Sequence, residues 1–176
     1  MSSTETFRVD ASIAVAADPV TVFGYVSDLT RSGEWSPECQ GGEWTEGEPA
    51  AVGSVFTAVN HRKAEVVAWA PVVRGEWTTE CEIVRSTPPE VFSWAMRDSG
   101  GRPQESVWSF TVTPADEGST LTHTFWMGEL TEGMRGILAD LDDGAAQKFI
   151  VEWAEKLHGD MRHSLARIKA QLESDS

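Results

Sequence analysis

The 176-residue sequence predicts one α+β domain, an antiparallel sheet with helices on one side of it. Three observations carry that prediction. The first stretch alternates apolar and polar residues, the middle is a succession of strand-length runs joined by turn chemistry, and the last third switches to a three- or four-residue apolar period. A chain of this length removes roughly 70% of its unfolded surface from water on folding, so a substantial core needs no metal or disulfide. Residues 1–176 read as a single domain, with loose ends expected at about 1–6 and 173–176.

Over residues 7–16, Val9, Ala11, Ile13 and Val15 alternate with Arg8, Asp10 and Ser12, the pattern of a strand with one buried face. Asp18 can then cap a helix whose first residue is Pro19, where a missing N–H is harmless; Val22, Phe23 and Val26 share one side, and the helix reaches Ser27 or Asp28. A second helical turn is expected at 29–34, before Pro37 disfavours helix at the residue preceding it. A brief strand at 43–45 and fuller ones at 54–60, 76–85, 91–97, 106–113 and 119–127 follow, separated by Gly- and Pro-rich turns. Short connections between consecutive strands imply an antiparallel meander. Finally, Asp142 or Asp143 can cap a helix beginning near Ala145, on which Phe149, Trp153, Leu157, Met161, Leu165, Ile168 and Leu172 recur on one face. About 28 residues at 1.5 Å each make a rod of roughly 40 Å, long enough to cross a whole sheet.

Residues 61–75 resist this plan, because a structureless connection of that length is uncommon in a compact domain. Two readings remain open. Residues 65–69 form an additional strand, or the segment is a lid whose Val66, Val67, Trp69, Val72 and Val73 rest over an opening.

Charge excludes whole classes of partner. Fourteen Lys and Arg against 28 Asp and Glu leave a formal charge of −14, and no basic run appears, so the chain has little to offer nucleic acid or an anionic membrane surface. No window approaches the ~20 apolar residues that span a bilayer, and no secretory signal is visible. With only Cys39 and Cys81, reduced thiols and a cytoplasmic location are the expectation. Eight Trp and seven Phe against one Tyr make an aromatic set suited to a core or an apolar cavity.

Several segments then become familiar together: Val-Ala-Ala-Asp-Pro-Val-Thr-Val-Phe at 15–23, Val-Ser-Asp at 26–28, Trp-Ser-Pro-Glu at 35–38, Gly-Ser-Val-Phe at 53–56 and Met-Arg-His-Ser-Leu-Ala-Arg-Ile-Lys at 161–169. In order and spacing they resemble the polyketide cyclase/dehydrase branch of the START-like, or SRPBCC, superfamily, from about residue 7 to 172. The resemblance implies a helix-grip fold, in which a curved antiparallel sheet wraps the long C-terminal helix around an apolar cavity, with two short helices after the first strand covering one end. Asp28, Trp35 and Glu38 fall in that two-helix region. The 61–75 connection departs from the family pattern. Since the superfamily hosts lipid carriers, polyketide and hormone binders, cyclases and hydrolytic members, membership leaves function open.

Strand alternation selects the residues that would face such a cavity. Leu121, His123, Phe125 and Met127 share a face, as do Trp108, Phe110 and Val112, then Phe92, Trp94 and Met96, then Trp77, Thr79, Cys81 and Ile83. Phe149 and Trp153 would meet them from the helix, with Trp69 and Val72 in the lid. His123 is the conspicuous polar group, suited to proton transfer or to anchoring a ligand oxygen; a histidine bonded within the sheet is the plainer account. Asn60 could present an amide, although a strand-end turn residue also fits. A Cys81–His123 nucleophile is conceivable, but buried cysteine is more often packing.

Metal and cofactor motifs do not develop. His158 and His163 lie five apart and do not share a helix face; Glu155 and His158 make one E-x-x-H pair where a di-iron site needs two; Asp140 to Gly144 misses the spacing of a calcium loop. No cofactor is expected. The leading reading is a protein that binds a small apolar molecule, polyketide-like, aromatic or lipid, with no nucleic acid, no membrane insertion and a homodimer left open. Its rivals are an aromatase/cyclase or dehydratase working by acid/base chemistry through His123, and a structural role for the aromatic patches. Acyl carrier proteins are acidic, and like charge repels, so a free ligand suits this chain better than a carrier-bound one.

Overall fold

The computed structural model describes residues 4–174. Seven strands form one sheet in the order β1 (Phe7–Val15), β7 (Gly118–Met127), β6 (Pro103–Ala115), β5 (Val91–Arg97), β4 (Gly75–Thr87), β3 (Val55–Arg62) and β2 (Cys39–Glu46), every neighbouring pair antiparallel. Register shifts between Cys39 and Gly41, Trp44 and Glu46, Ile83 and Arg85, and Ala95 and Arg97 interrupt the ladder, and such irregularities bend a sheet locally. The curved antiparallel sheet, with α3 (Asp143–Ser174) packed across it, is the helix-grip arrangement.

Two short helices bridge β1 to β2, as expected. In α1 (Pro19–Val26) the Asp18 carboxylate accepts the Thr21 N–H at 2.8 Å, and Pro19 occupies the first turn. A 3-10 helix follows at Leu29–Glu34, capped by Asp28, which accepts from Thr30 N–H at 3.2 Å. Gly33 is required there, since a Cβ would meet the Gln40 carbonyl oxygen at 2.5 Å. That close approach seats the 3-10 helix against β2 and holds Ser32 and Trp35 under the sheet.

Strands β2, β3, β4 and β6 run longer than their periodicity predicts, and β2 replaces what reads as a brief strand at 43–45. Helix α3 starts at Asp143, two residues before the expected Ala145, because Asp142 accepts the Ala145 N–H at 2.8 Å and so serves as the cap. Its buried face comprises Phe149, Leu157, Met161, Ser164, Leu165 and Ile168. Of the ends expected to be loose, residues 1–3 and 175–176 lie outside the described residues. Thr6, by contrast, donates to the Met127 and Gly128 carbonyls, and Glu173 accepts from the Ala16 N–H at 3.0 Å.

The connection 63–74 forms no strand; it is a run of turns. Arg74 organises it by donating to the carbonyls of Ala64, Val66, Val67 and Val72 at 2.8–3.1 Å, which satisfies backbone acceptors that a sheet would otherwise pair. Ala70 and Val72 are buried in a cluster with Phe149, Leu157 and Met161. A further helix, α2 (Glu132–Leu138), has no counterpart in the sequence reading; Gly133 and Gly136 mask it by lowering its helix propensity. Thr131 caps it by accepting the Met134 N–H at 3.2 Å.

Candidate functional site

The strand alternation that buries Leu121, His123, Phe125 and Met127 on one face of β7 turns these side chains toward α3. Between sheet and helix lie two connected spaces. An inner chamber of about 150 Å³ is walled by Trp35, Cys81, Trp94, Trp108, His123 and Met161, with Ser32, Asn60, Thr79, Asp160 and Ser164 among its polar contributors. A wider outer cleft of about 920 Å³ is lined by Trp77, Phe125, Met127, Trp153 and, from α2, Met134 and Ile137. Glu38, Asn60, Thr79, Met96, Trp108 and Leu157 border both and form the neck between them.

His123 is buried in a stack of rings. Its imidazole lies 4.0 Å from the Phe110 centroid at 10° and 5.2 Å from Trp108 at 28°, with Trp35 edge-on at 6.2 Å. Nδ1 sits 3.0 Å from the Ser109 carbonyl oxygen, an acceptor only, so Nδ1 carries the hydrogen and Nε2 the lone pair. Burial brings the imidazole down to about 4, against a smaller opposing effect of the Ser109 bond, so the ring is neutral at pH 7. Nε2 has no hydrogen-bond partner among the described residues. Nor does the buried indole N–H of Trp35.

Charged groups gather at the neck and cleft. Arg62 donates from Nε and Nη2 to the two Glu38 oxygens at 2.8 and 3.0 Å, and its guanidinium lies between the rings of Trp77 (4.5 Å) and Trp153 (4.8 Å). Lys156 Nζ reaches Glu38 at 2.9 Å and Asp160 at 2.5 Å. Burial works to raise the Glu38 carboxyl, but the Arg62 hydrogen bond and the Lys156 charge outweigh it and leave Glu38 below the usual carboxylate range. For Asp160 burial wins over the Lys156 charge and hydrogen bond, and the carboxyl lies above its usual value. Ser36 positions Glu38 at the neck by accepting the Glu38 and Cys39 N–H groups at 3.3 and 2.9 Å.

The residues expected at the site divide into three groups. Asn60, Cys81, Trp94, Trp108 and His123 line the inner chamber, and Trp77, Phe125 and Trp153 the outer cleft. Phe92, Phe110 and Phe149 share the right faces but are fully buried and line neither space. Trp69 and Val72 line neither: Trp69 packs on Phe149 and donates to Glu152 at 3.2 Å, and Val72 lies in the core beneath the turns. Asn60 sits within β3 and donates to Thr79 Oγ1 at 3.0 Å. Cys81 makes no hydrogen bond with His123 among the described residues, and burial pushes its thiol up to about 12, a poor nucleophile. Among the described residues no group of three His, Cys, Asp or Glu is placed to hold a metal ion, and no helix is long and apolar enough to cross a membrane.

Sequence reasoning missed Arg62, Lys156 and Asp160. Lys156 and Asp160 are four apart on α3, a spacing that reads as a solvated helix pair; the one available signal was that they flank Leu157 of the buried stripe.

Residues 6–173 match the family described as polyketide cyclase / dehydrase and lipid transport. The chain belongs to that family. Among solved structures, the Polyketide_cyc-like protein Cgl2372 from Corynebacterium glutamicum is 26% identical, with a TM-score of 0.64 over 98% of this chain and 94% of that one. Two di-domain ARO/CYC proteins share the fold. BexL, from the BE-7585A biosynthetic pathway, is 16% identical with a TM-score of 0.66, over 95% of this chain and 50% of its own. StfQ, from the steffimycin pathway, is 15% identical with a TM-score of 0.67, over 96% and 51%. This family member therefore spans about half of each di-domain protein. No curated protein matches it.

Proposed function

We propose that this family member binds a small aromatic or otherwise apolar molecule between its sheet and α3 and releases it unchanged. One observation carries the reading: an aromatic-walled chamber between sheet and helix in which His123, a buried lining residue, is a neutral acceptor at pH 7. Ligand sites are ordinarily apolar concavities with a few placed polar groups. A general base works best with a pKa near the operating pH, and burial has moved His123 well below it. The outer cleft supplies the route and space for a substituent larger than the chamber accepts.

Native mass spectrometry of the purified protein, with extraction and identification of any co-purifying molecule, tests this. An apolar ligand recovered intact, with its binding weakened by His123→Gln, is the expected result.

A second reading, an aromatase/cyclase or dehydratase, has one observation in its favour. Asp160, whose carboxyl burial raises above its usual value, lines the same chamber as His123, so two titratable side chains converge on one space. The ARO/CYC neighbours agree with that chemistry at the level of fold. Wild-type protein that cyclises a poly-β-ketone above the spontaneous rate, with Asp160→Asn and His123→Gln each losing about 10²–10⁴-fold, would replace the binding reading with this one.

A further inference from the structure

The neck contains a seat shaped for a carboxylate, and the chain's own Glu38 sits in it. The Arg62 guanidinium is fixed between the Trp77 and Trp153 rings, and its Nη1 donates to the Val73 carbonyl at 3.0 Å. Its Nε and Nη2 then present a fork to the two Glu38 oxygens at 2.8 and 3.0 Å, and Lys156 Nζ reaches the same carboxylate at 2.9 Å. A planar guanidinium fork backed by an ammonium is well matched to a carboxylate. Glu38 borders both the inner chamber and the outer cleft, so this seat adjoins the path between them.

Nothing else in the cavity offers a free cation. Among the described residues, the one other basic side chain lining either space is Arg97, which donates from Nε and Nη2 to the Gly101 carbonyl and from Nη1 to Glu80 at 3.2 Å. Apart from neutral His123, the remaining titratable lining groups of known sign are acids: Asp160 in the chamber, and Glu80, Asp98 and Glu132 in the cleft. A ligand carboxylate that enters gives up its hydration, meets like charge and finds the guanidinium fork taken.

We infer that Glu38 determines the charge specificity of the cavity: by filling the Arg62–Lys156 seat from within the chain it keeps anionic ligands out. The cavity therefore takes alcohols, ketones or esters in preference to the corresponding carboxylates. This rests on the reading of the cavity as a ligand-binding site and adds which ligands it refuses, and through which residue.

The experiment compares 3-phenylpropan-1-ol with 3-phenylpropanoate, ionised at pH 7, each titrated by calorimetry into the full-length protein. A phenyl ring suits a chamber of about 150 Å³, and the three-carbon chain carries the end group toward the neck. We expect the alcohol to bind wild type at least tenfold tighter than the acid. Glu38→Gln keeps an oxygen for Arg62 to donate to and removes the competing charge, so the acid should gain at least tenfold while the alcohol changes little. A variant that merely loosens the fold would weaken both, and retained alcohol binding reports that Glu38→Gln folds. Should Glu38→Gln fail to bind the alcohol, Asp160→Asn carries the same comparison: it removes an acid beside Lys156, and a smaller gain for 3-phenylpropanoate is expected. Equal affinities in wild type, or a folded variant that admits the acid no better, would overturn the inference and leave the binding reading standing. Failure of the alcohol and the acid alike to bind wild type would overturn both.

Discussion

The neck and the inner chamber are adjacent, share Trp108 and Leu157, and treat their polar groups in opposite ways. At the neck every charge is matched: Arg62 with Glu38, Lys156 with Glu38 and Asp160, and the guanidinium between two indoles. Beside the chamber two neutral atoms, the occluded Trp35 Nε1 and His123 Nε2, have no hydrogen-bond partner among the described residues. The difference follows from cost. An unpaired ion in a poorly hydrated place costs several kcal/mol, more than a marginally stable domain tolerates, whereas an unmet neutral donor or acceptor costs about 1–3 kcal/mol. Charges near a cavity must therefore be settled within the fold, whereas a neutral group can stay unpaired at a tolerable cost.

Removing one charge from the neck should be among the largest effects. Glu38→Ala leaves Arg62 without its carboxylate and Lys156 with only Asp160, and a loss of about 3 kcal/mol in chemical denaturation is expected. A loss under about 1 kcal/mol would place the cluster with solvated surface pairs and erase the contrast with the chamber.

Packing beneath both regions provides the reference. Leu165→Ala on the buried face of α3 should cost about 2–5 kcal/mol through lost burial and a residual cavity. An unchanged denaturation midpoint would contradict the packing of α3 on the sheet.

The chamber's own signature is pH dependence. The folded state keeps His123 neutral down to about pH 4, whereas the unfolded imidazole takes a proton near 6.5. Between those values the unfolded chain binds more protons, so stability rises with pH. About 3 kcal/mol is present above pH 6.5 and is lost as the pH falls toward 4. Stability curves of wild type and His123→Gln should converge over that window; parallel curves would mean that His123 titrates normally.

Smallest is the effect outside both regions. Trp69→Ala removes a half-exposed ring from Phe149 and should cost about 1 kcal/mol, since only part of the side chain leaves a buried contact. Because Trp69 lines neither space, affinity for a ligand recovered with the protein should not change; a faster release would restore the turns at 63–74 as a lid.

Local chemistry determined much of this protein from its sequence alone: the strand meander, the Asp18 cap, an aspartate cap at 142 or 143, the apolar stripe of α3, and the inward face of β7 that carries His123. Those features depend on side-chain period and capping, which neighbours along the chain specify. Depth was another matter. Phe110 and Trp108 share a face, yet one is core and the other cavity wall, because period says which side a residue takes and not where the curved sheet parts from the helix. Assembly of the neck from positions 38, 62, 156 and 160, the meeting of Trp35 with His123, and the folding of 63–74 around Arg74 were decided only in three dimensions. Each is a contact between segments far apart in sequence, whose energy exists only after the sheet has curved around α3 and excluded water from the space between them.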